Sequence, residues 1–438
     1  MNDIGELFIL GFFGKTIPEW LKEFAGRYGL GGVILFDYSC RTQQYDNNIE
    51  SPEQVQRLCA EISALPSAPM VFIDQEGGLV RRLKESRGFS PLPSAKEFNH
   101  LAPDRKREIL AASFAEMRRL GIDYDFAPVI DVDYNPDNPN IGRIKRAYSA
   151  DIAEVEANAL LASEVAQAQR IGLCLKHFPG IGGAVVDPHQ EFMDISDALR
   201  PEQEELFYSL APKMFGDAVL VSHAIVRQWD GDNPMTLSAA GLGRLRKRLP
   251  DTLLITDDMQ MQGLQKAMGT REASLRSLKA GMDMLCIGNN LFDQEQETAA
   301  IAGYISESLR DGTLSGPEIA KSIARIGQAK GASDGLTGGT RGSPDQNRAN
   351  DLLLCEVVET KSLFSPERPT MAHNYAINDD VHHQQQGPQG RATVKERSVY
   401  TIVSCLPIEA DGRPRYRIKS KSENVERVVT EEQISRLG

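Results

Sequence analysis

The sequence is short of several features that mark common classes of protein. Its 438 residues include only six cysteines and two tryptophans, and its 61 acidic residues outnumber its 49 basic ones. The resulting net charge of −12 argues against a general nucleic-acid-binding protein and against an anionic membrane surface as the main partner. No apolar run reaches the roughly 20 residues that a membrane-spanning helix needs.

Short catalytic signatures are also missing. The chain contains no phosphate-binding P-loop, no Gly-rich dinucleotide-binding turn, no Ser nucleophile elbow and no H-E-x-x-H zinc motif. The cysteines form no closely spaced pairs, which is typical of a reduced, cytoplasmic protein. The N-terminal stretch has an acidic lead-in and no small-residue cleavage site, so we expect no signal peptide and a cytoplasmic location.

Strand-like and helix-like segments alternate along the first three quarters of the chain. Apolar runs predict strands over residues 7–13, 32–36, 70–74, 125–132, 172–177, 218–223, 253–257 and 282–287. Helical patterns between them cover residues 19–28, 52–65, 106–120, 152–170, 202–213, 242–248 and 270–280. Eight such units fit an α/β fold of the closed (β/α)8 TIM-barrel type. A doubly wound open sheet is the alternative, but polar residues follow most strands rather than one switch point.

Polar side chains follow six of the predicted strands. They are Asp74 and Glu76, then Asp131, Asp133 and Arg146, then Lys176 and His177, then Ser222 and His223, then Asp257 and Asp258, then Asn289 and Asn290. A single Asp or Asn in such a place is more often a turn or helix-capping residue. Since the carboxyl ends of barrel strands meet at one mouth, six of them together predict one active site there.

The stretch GLCLKHFPGIGGAVVDPHQEF, residues 172–192, is the most informative part of the chain. It is a strand whose exit loop carries glycines and ends in Asp187-Pro188-His189. A carboxylate two residues from a histidine can orient and polarise the imidazole for acid–base work. The alternative interpretation of this loop is that it is solvated and has no catalytic role.

Asp257, at the end of a strand, is the natural carboxylate nucleophile for breaking a glycosidic bond, and Asp258 is a supporting residue.

The composition changes after about residue 326. We predict a barrel domain over residues 1–332, a largely disordered linker over 333–395, and a small all-β module over 396–438. From Arg391 onward the chain has ten Lys and Arg against seven Asp and Glu. This mildly basic module is either a solvated surface or a surface for nucleic acid or a protein, whereas we expect no nucleic-acid partner for the barrel.

Three motifs carry a resemblance to a known family. IDQEGGLVRR, KHFPGIGGAVVDPH and ITDDMQM resemble the bacterial glycoside hydrolase family 3 β-N-acetylglucosaminidases of cell-wall recycling, over about residues 4–331. The resemblance implies a retaining exo-β-N-acetylglucosaminidase that acts on GlcNAc-containing peptidoglycan (muropeptide) fragments and needs no metal or organic cofactor. It implies that Asp257 is the nucleophile and that His189, oriented by Asp187, is the acid/base. The C-terminal module is similar to small SH3-like bacterial modules.

The resemblance also implies a set of substrate-binding residues, which are Asp74, Arg82, Arg146, Lys176 and His177. The family motif I-G-x-R-S-[FY] appears here as IGRIKRAY, two residues longer, so Arg143 is the alternative to Arg146. Ile181 and Pro188 stand where the family usually has His and Ser.

Three other functions stay open. A β-N-acetylglucosaminide phosphorylase could use the same site, because a histidine acid/base does not repel an anionic acceptor as a carboxylate would. A β-glucosidase is a second alternative on that site. The third is a scaffold barrel whose basic tail binds nucleic acid or protein.

Overall fold

The structure is a computed structural model that describes residues 3–185, 192–334, 380–383, 399–406, 415–420, 426–430 and 434–436. The chain divides into two units, Met1–Gly338 and Gly339–Gly438. Each unit has a hydrophobic core of its own.

Eight short parallel strands form the centre of the first unit. They are β1 (Phe8–Leu10), β2 (Gly32–Leu35), β3 (Met70–Ile73), β4 (Tyr124–Asp125), β5 (Gly172–Phe178), β6 (Ala218–Val221), β7 (Leu253–Thr256) and β8 (Leu285–Ile287). Their order in the sheet is β8-β1-β2-β3-β4-β5-β6-β7. A parallel bridge between Ile255 and Met284 brings β7 beside β8. The sheet is therefore a nearly closed barrel, which confirms the predicted fold class and rules out the open sheet.

Twelve α-helices surround these strands in the described part of the first unit. They are α1 (Glu19–Tyr28), α2 (Pro52–Ser63), α3 (Ala95–Asn99), α4 (Pro103–Leu120), α5 (Ile152–Gln169), α6 (Pro201–Leu210), α7 (Arg227–Asp230), α8 (Ala239–Arg248), α9 (Gln262–Ala267), α10 (Gly269–Ala280), α11 (Glu295–Arg310) and α12 (Gly316–Asp334). Local sequence explains several starts: Ser51 caps α2, and Ser94 and Glu97 form a capping box at α3. None of the described helices combines the length and apolarity needed to cross a membrane.

Aromatic side chains and glycines fill the barrel interior together. The rings of Phe72 and Tyr124 stack with centroids 5.2 Å apart. A Cβ atom on Gly32 would lie 2.4 Å from the Phe72 ring, and one on Gly172 would lie 2.3 Å from the Tyr124 ring. Glycine at these two strand starts is therefore what lets large rings pack between neighbouring strands.

The structure differs from the sequence prediction in two places within this unit. The fourth strand covers only Tyr124–Asp125 rather than residues 125–132, since Pro128 has no amide hydrogen to give to a ladder and only a bridge from Val129 to Lys176 continues the pairing. Five helices were not predicted: the short α3, α7 and α9 and the longer α11 and α12. Each of the two longer helices buries one apolar face, through residues such as Ile301, Ile305 and Ile326.

The second unit contains a small antiparallel sheet. Its strands are β9 (Asp380–His383), β10 (Val399–Leu406), β11 (Arg415–Ser420), β12 (Glu426–Thr430) and β13 (Ile434–Arg436), in the order β12-β11-β10-β9-β13. The strands β10, β11 and β12 correspond to the three predicted runs, whereas β9 falls within the stretch predicted as linker. Side chains alternate across β11, with Tyr416 and Ile418 buried and Arg417 and Lys419 exposed.

Candidate active site

A large cavity opens at the carboxyl end of the barrel strands, with a volume of about 600 Å³. Six residues that the sequence predicts for the site line it: Asp74, Arg82, Arg146, Lys176, His177 and Asp257. Ser222, His223, Asp258 and Asn290 line it as well. The structure thus brings five of the predicted polar strand ends, those of β3, β5, β6, β7 and β8, to one place, and Arg146 comes from the loop after β4. Asp187 and His189 lie outside the described residues.

Two carboxylates and three cations form a charged cluster at the base of this cavity. Lys176 Nζ lies 2.8 Å from Asp74 Oδ1 and 2.5 Å from Glu76 Oε1. Arg82 Nη2 donates to Asp74 Oδ2 over 3.1 Å, and Arg146 donates through Nε and Nη2 to both oxygens of Glu76, each over 2.7 Å. The Lys176 side chain is only 2% exposed. We call Asp74, Glu76, Arg82, Arg146 and Lys176 the charged cluster.

The cations of the charged cluster keep its carboxylates ionised. Burial by itself would raise the pKa of Asp74, but Lys176 and Arg82 outweigh it and hold that pKa below its usual range. Burial also acts to raise the pKa of Glu76, yet Arg146 and Lys176 bring that pKa down to about 2. Both groups therefore accept hydrogen bonds at neutral pH and neither is a proton donor.

Glu76 is a member of the cluster to which the sequence analysis gave no role beyond its position after a strand. Its side chain is 3% exposed and makes the bidentate pair with Arg146, seventy residues along the chain. One signal could have found it: Asp74 and Glu76 stand two residues apart beyond a strand, so extended backbone directs both side chains to one face. Their pairing with cations from later strand ends is visible only in three dimensions.

His177 connects the charged cluster to a buried aspartate. Its Nε2 lies 3.0 Å from Arg146 Nη2, and its Nδ1 lies 2.6 Å from Asp131 Oδ2. Because a guanidinium only donates, Nε2 is the acceptor and Nδ1 carries the hydrogen that it donates to Asp131. Asp131 also accepts from the backbone N–H groups of His177 and Ile181. His177 therefore acts on the position of Arg146, which the sequence analysis did not foresee.

The two candidate arginines of the long loop after β4 lie in different surroundings. The Arg146 side chain is 14% exposed and lines the cavity. The Arg143 side chain is 64% exposed, does not line the cavity, and has Asp137 3.9 Å away as its acidic neighbour. The loop also holds Arg146 in place, because the carbonyl of Asn140 accepts a hydrogen bond from its Nη1 over 2.9 Å.

Asp257 opens into the cavity directly after β7. Its backbone N–H donates to the carbonyl of Val221, and its Oδ1 accepts from the N–H of Asp258, each over 2.9 Å. Asp258 instead faces the neighbouring strand end, where its Oδ1 accepts from the N–H groups of Gln260 and Gly288. Burial raises the pKa of Asp258 to about 7. The adjacent aspartates therefore differ: Asp257 has an oxygen open to a ligand, and Asp258 fixes the turn.

His223 is a buried support for this turn. Its Nε2 lies 3.0 Å from the carbonyl oxygen of Asp258 and its Nδ1 lies 2.7 Å from Thr236 Oγ1. Since a carbonyl only accepts, Nε2 carries the hydrogen and Nδ1 accepts from the hydroxyl. Burial lowers the pKa of His223. Both ring nitrogens are thus occupied by the protein.

The described residues on both sides of the Asp187–His189 stretch are anchored beside the cavity. On the first side, Asn138 Nδ2 donates to the carbonyl of Ile181 over 2.7 Å, and Asn135 Nδ2 donates to that of Ala184 over 2.8 Å. On the other side, the N–H of Ile225 donates to the carbonyl of Met193 over 2.8 Å. Ile181 and Met193 both line the cavity.

A protein-family model and several known proteins are similar in sequence to this chain. The model of the glycosyl hydrolase family 3 N terminal domain matches residues 2–329. A beta-hexosaminidase of Idiomarina loihiensis is 31% identical over 290 residues, which is 63% of this chain and 82% of that protein. One from Methylococcus capsulatus is 29% identical over 336 residues, 74% of this chain and 92% of that protein.

Solved structures extend this likeness to the fold. A glycoside hydrolase family 3 beta-N-acetylglucosaminidase from a Paenibacillus species superposes with a TM-score of 0.67 at 25% identity. That match covers 78% of this chain but 64% of the other, so the Paenibacillus chain contains parts that this one does not align with. The second unit, from Gly339, lies outside the family match.

Proposed function

Because the chain belongs to glycoside hydrolase family 3, we propose that it is a retaining exo-β-N-acetylglucosaminidase that releases terminal β-linked GlcNAc from peptidoglycan (muropeptide) fragments. The single observation that carries the proposal is that Asp257 opens into the same cavity as the charged cluster. A carboxylate nucleophile beside fixed, ionised hydrogen-bonding groups is what cleavage of a polyhydroxylated substrate requires. The beta-hexosaminidase relatives and the similar structure of a beta-N-acetylglucosaminidase support the choice of GlcNAc.

In the first step of the proposed reaction, an oxygen of Asp257 attacks the anomeric carbon of GlcNAc. The bond from that carbon to the glycosidic oxygen breaks, and the leaving oxygen keeps its electron pair and takes a proton from His189. Asp187 orients the His189 imidazole. The product is a glycosyl ester on Asp257 together with the free aglycone.

In the second step, water attacks the anomeric carbon of this ester. His189 now accepts a proton from the water, and the C–O bond to Asp257 breaks, which regenerates the carboxylate. Two displacements at one carbon leave the product with the β configuration of the substrate.

The charged cluster supplies the proposed binding groups for the sugar. Asp74 and Arg82 keep 16% and 22% of their side chains exposed, so they can meet hydroxyl groups directly, together with the ammonium of Lys176. Arg146, which His177 and Glu76 orient, faces the same space. Glu76 does not line the cavity, so it acts through Arg146 and Lys176, which do.

Hydrolysis is favoured over phosphorolysis by the way charges are paired. Each Lys and Arg that the described residues place on the cavity wall, namely Arg82, Arg146 and Lys176, already has a carboxylate partner. With Asp257 the site holds three carboxylates against these three cations, so an incoming phosphate dianion would add negative charge that no described Lys or Arg of the wall offsets. We propose that the reaction takes place in the cytoplasm, since the six cysteines of the sequence form no closely spaced pairs.

The decisive experiment compares aryl β-GlcNAc with the matching aryl β-glucoside, in phosphate-free and in phosphate buffer. We expect release of the aryl group from the GlcNAc compound, β-GlcNAc as the first product by proton NMR, and no sugar 1-phosphate. Preference for the glucoside would reject the substrate, and sugar 1-phosphate would indicate a phosphorylase.

The Asp257→Ala variant tests the nucleophile in the same assay. Turnover should fall by about 10³-fold or more, because the covalent route is closed. Azide should restore release of the aryl group and give a glycosyl azide of inverted configuration. The matched control is Asp104→Ala, an exposed carboxylate at the start of α4, which should leave turnover unchanged. An Asp257→Ala enzyme that remains active would overturn the assignment.

A further inference from the structure

The exposed large apolar side chains of the barrel unit all lie at one end of it. Among the described residues of that unit they are Tyr45, Leu79, Val185, Met261 and Leu291, with exposures of 50%, 55%, 76%, 40% and 43%. They belong to the loops after β2, β3, β5, β7 and β8, which is the end where the cavity opens. Apolar side chains that gather around a cavity mouth commonly mark a binding surface. We call these five residues the apolar rim.

Two members of the apolar rim line the cavity itself. Met261 follows Asp257 by four residues, and Leu291 follows β8. Both line the same cavity as Asp257 and Lys176. Their exposures of 40% and 43%, against 2% for Lys176, place them at its mouth and Lys176 at its base. A ligand that extends from Asp257 to the mouth can therefore contact these two side chains.

An exo-acting enzyme holds the terminal sugar at the closed end of its cavity and the leaving group at the open end. On the function proposed above, GlcNAc lies at the charged cluster and the aglycone lies beside Met261 and Leu291. The Lys and Arg side chains that line the cavity in the described part of the chain are all engaged with carboxylates at the base, so none of them is available to an anionic aglycone at the mouth. Burying an apolar group against the two side chains lowers the free energy of binding in proportion to the apolar area removed from water.

We propose that Met261 and Leu291 form the leaving-group subsite, and that this subsite selects an aglycone with an uncharged, apolar face next to the scissile bond. The inference rests on the proposed function and deepens it by naming the chemical class of the leaving group. A muropeptide fragment satisfies it when the unit joined to GlcNAc turns its ring and methyl groups to the subsite and its carboxylates to the solvent beyond the rim.

Alkyl glycosides test the proposal, because their leaving groups have nearly the same basicity. The three substrates are methyl β-GlcNAc, n-hexyl β-GlcNAc and 5-carboxypentyl β-GlcNAc, which has a similar length to hexyl but carries a carboxylate. For the unmodified enzyme we expect kcat/KM for the hexyl compound to be about tenfold above that for the methyl compound. The carboxypentyl compound should lose most of this gain.

The variants Met261→Ala and Leu291→Ala should each reduce the preference for hexyl over methyl, and the double variant should abolish it. The readout is the ratio of kcat/KM for hexyl to kcat/KM for methyl β-GlcNAc, so a change that both substrates share cancels. The matched control is Leu79→Ala, a rim residue that does not line the cavity, and it should keep the full preference.

Two results would overturn the proposal. One is equal kcat/KM for the three alkyl glycosides, and the other is a hexyl preference that survives in the double variant. Failure of the proposed function is a separate outcome, because then neither the alkyl nor the aryl β-GlcNAc compounds would be hydrolysed by the unmodified enzyme.

Discussion

Two buried ionic clusters occupy opposite ends of the same barrel. At the carboxyl end is the charged cluster around Lys176, which lines a cavity of about 600 Å³. At the amino end is Asp283, just before β8, which is fully buried and paired with Arg246 and Arg325 over 2.7 and 2.8 Å. Asp283 also accepts from the hydroxyl of Ser322.

The comparison shows that a buried ion pair does not by itself indicate a catalytic site. Both clusters are well paired, and both join segments that are far apart in the sequence. Only the carboxyl-end cluster lines a large cavity, and only there does a carboxylate, Asp257, keep an oxygen open to a ligand. The amino-end cluster tethers α8 and α12 to the start of β8 and so contributes to stability.

The largest effect that we predict is the destabilisation caused by Asp283→Asn. An amide NH2 in place of Oδ2 only donates, so Arg246 and the N–H of Leu254 both lose their acceptor, and Arg246 and Arg325 lose the carboxylate charge. Loss of one partner of a buried pair costs about 3–5 kcal/mol of unfolding free energy. Urea unfolding measures it, and kcat/KM of the folded fraction should stay within about twofold. A large drop in kcat/KM with an unchanged free energy of unfolding would contradict this prediction, because Asp283 would then act in catalysis rather than in stability.

The second prediction is the reverse pattern for Lys176→Met at the carboxyl end. Asp74 and Glu76 each keep one arginine, so the loss of unfolding free energy should be smaller than for Asp283→Asn. Loss of a hydrogen bond from a charged group to the substrate costs about 1.5–3 kcal/mol, which lowers kcat/KM by roughly 10- to 150-fold. Steady-state kinetics on aryl β-GlcNAc and the same urea titration check both parts. An active but strongly destabilised variant would show that this cluster, too, is mainly structural.

The third prediction concerns Asp131→Asn, which acts on the substrate only through other residues. The asparagine amide can donate to His177 Nδ1, which forces the ring hydrogen onto Nε2, against the donor group of Arg146. We expect kcat/KM to fall about tenfold, mainly through KM, because Arg146 is displaced while Asp257 is not.

A double-mutant cycle provides the control for Asp131→Asn. His177→Gln removes the imidazole that transmits the effect, so the two changes together should cost little more than the larger of them. If the costs are fully additive, Asp131 does not act through His177.

The sequence predicted the barrel well because its signals are local. Apolar runs bounded by glycine and proline mark strands within a few residues, and helix patterns mark the crossovers. The last two helices escaped notice because glycines such as Gly327 and Gly331 interrupt α12, and its apolar face is recognisable only when Ile319 and Ile326 are seen packed on the barrel.

The site was predicted less completely than the fold, for a physical reason. Charged residues at strand ends are recognisable from their positions, which is how Asp74, Lys176 and Asp257 were identified. A buried acid such as Glu76 or Asp131 differs from a surface acid only through its partners, and Arg146 and His177 lie 70 and 46 residues further along the chain. Those pairings depend on the closed barrel, so sequence spacing alone cannot reveal which arginine or histidine each one holds.

The smallest effect is expected for Arg143→Ala, and it tests whether the long loop after β4 contributes one arginine or two. The Arg143 side chain is 64% exposed and lies outside the cavity. For Arg143→Ala, kcat/KM should therefore change by less than about twofold, and the temperature midpoint of unfolding by less than about 1 °C. Arg146→Ala is the matched comparison, and it should raise KM strongly because Glu76 and His177 both lose a partner. A rise in KM for Arg143→Ala of similar size would mean that the loop rearranges when substrate binds and that Arg143 then enters the cavity.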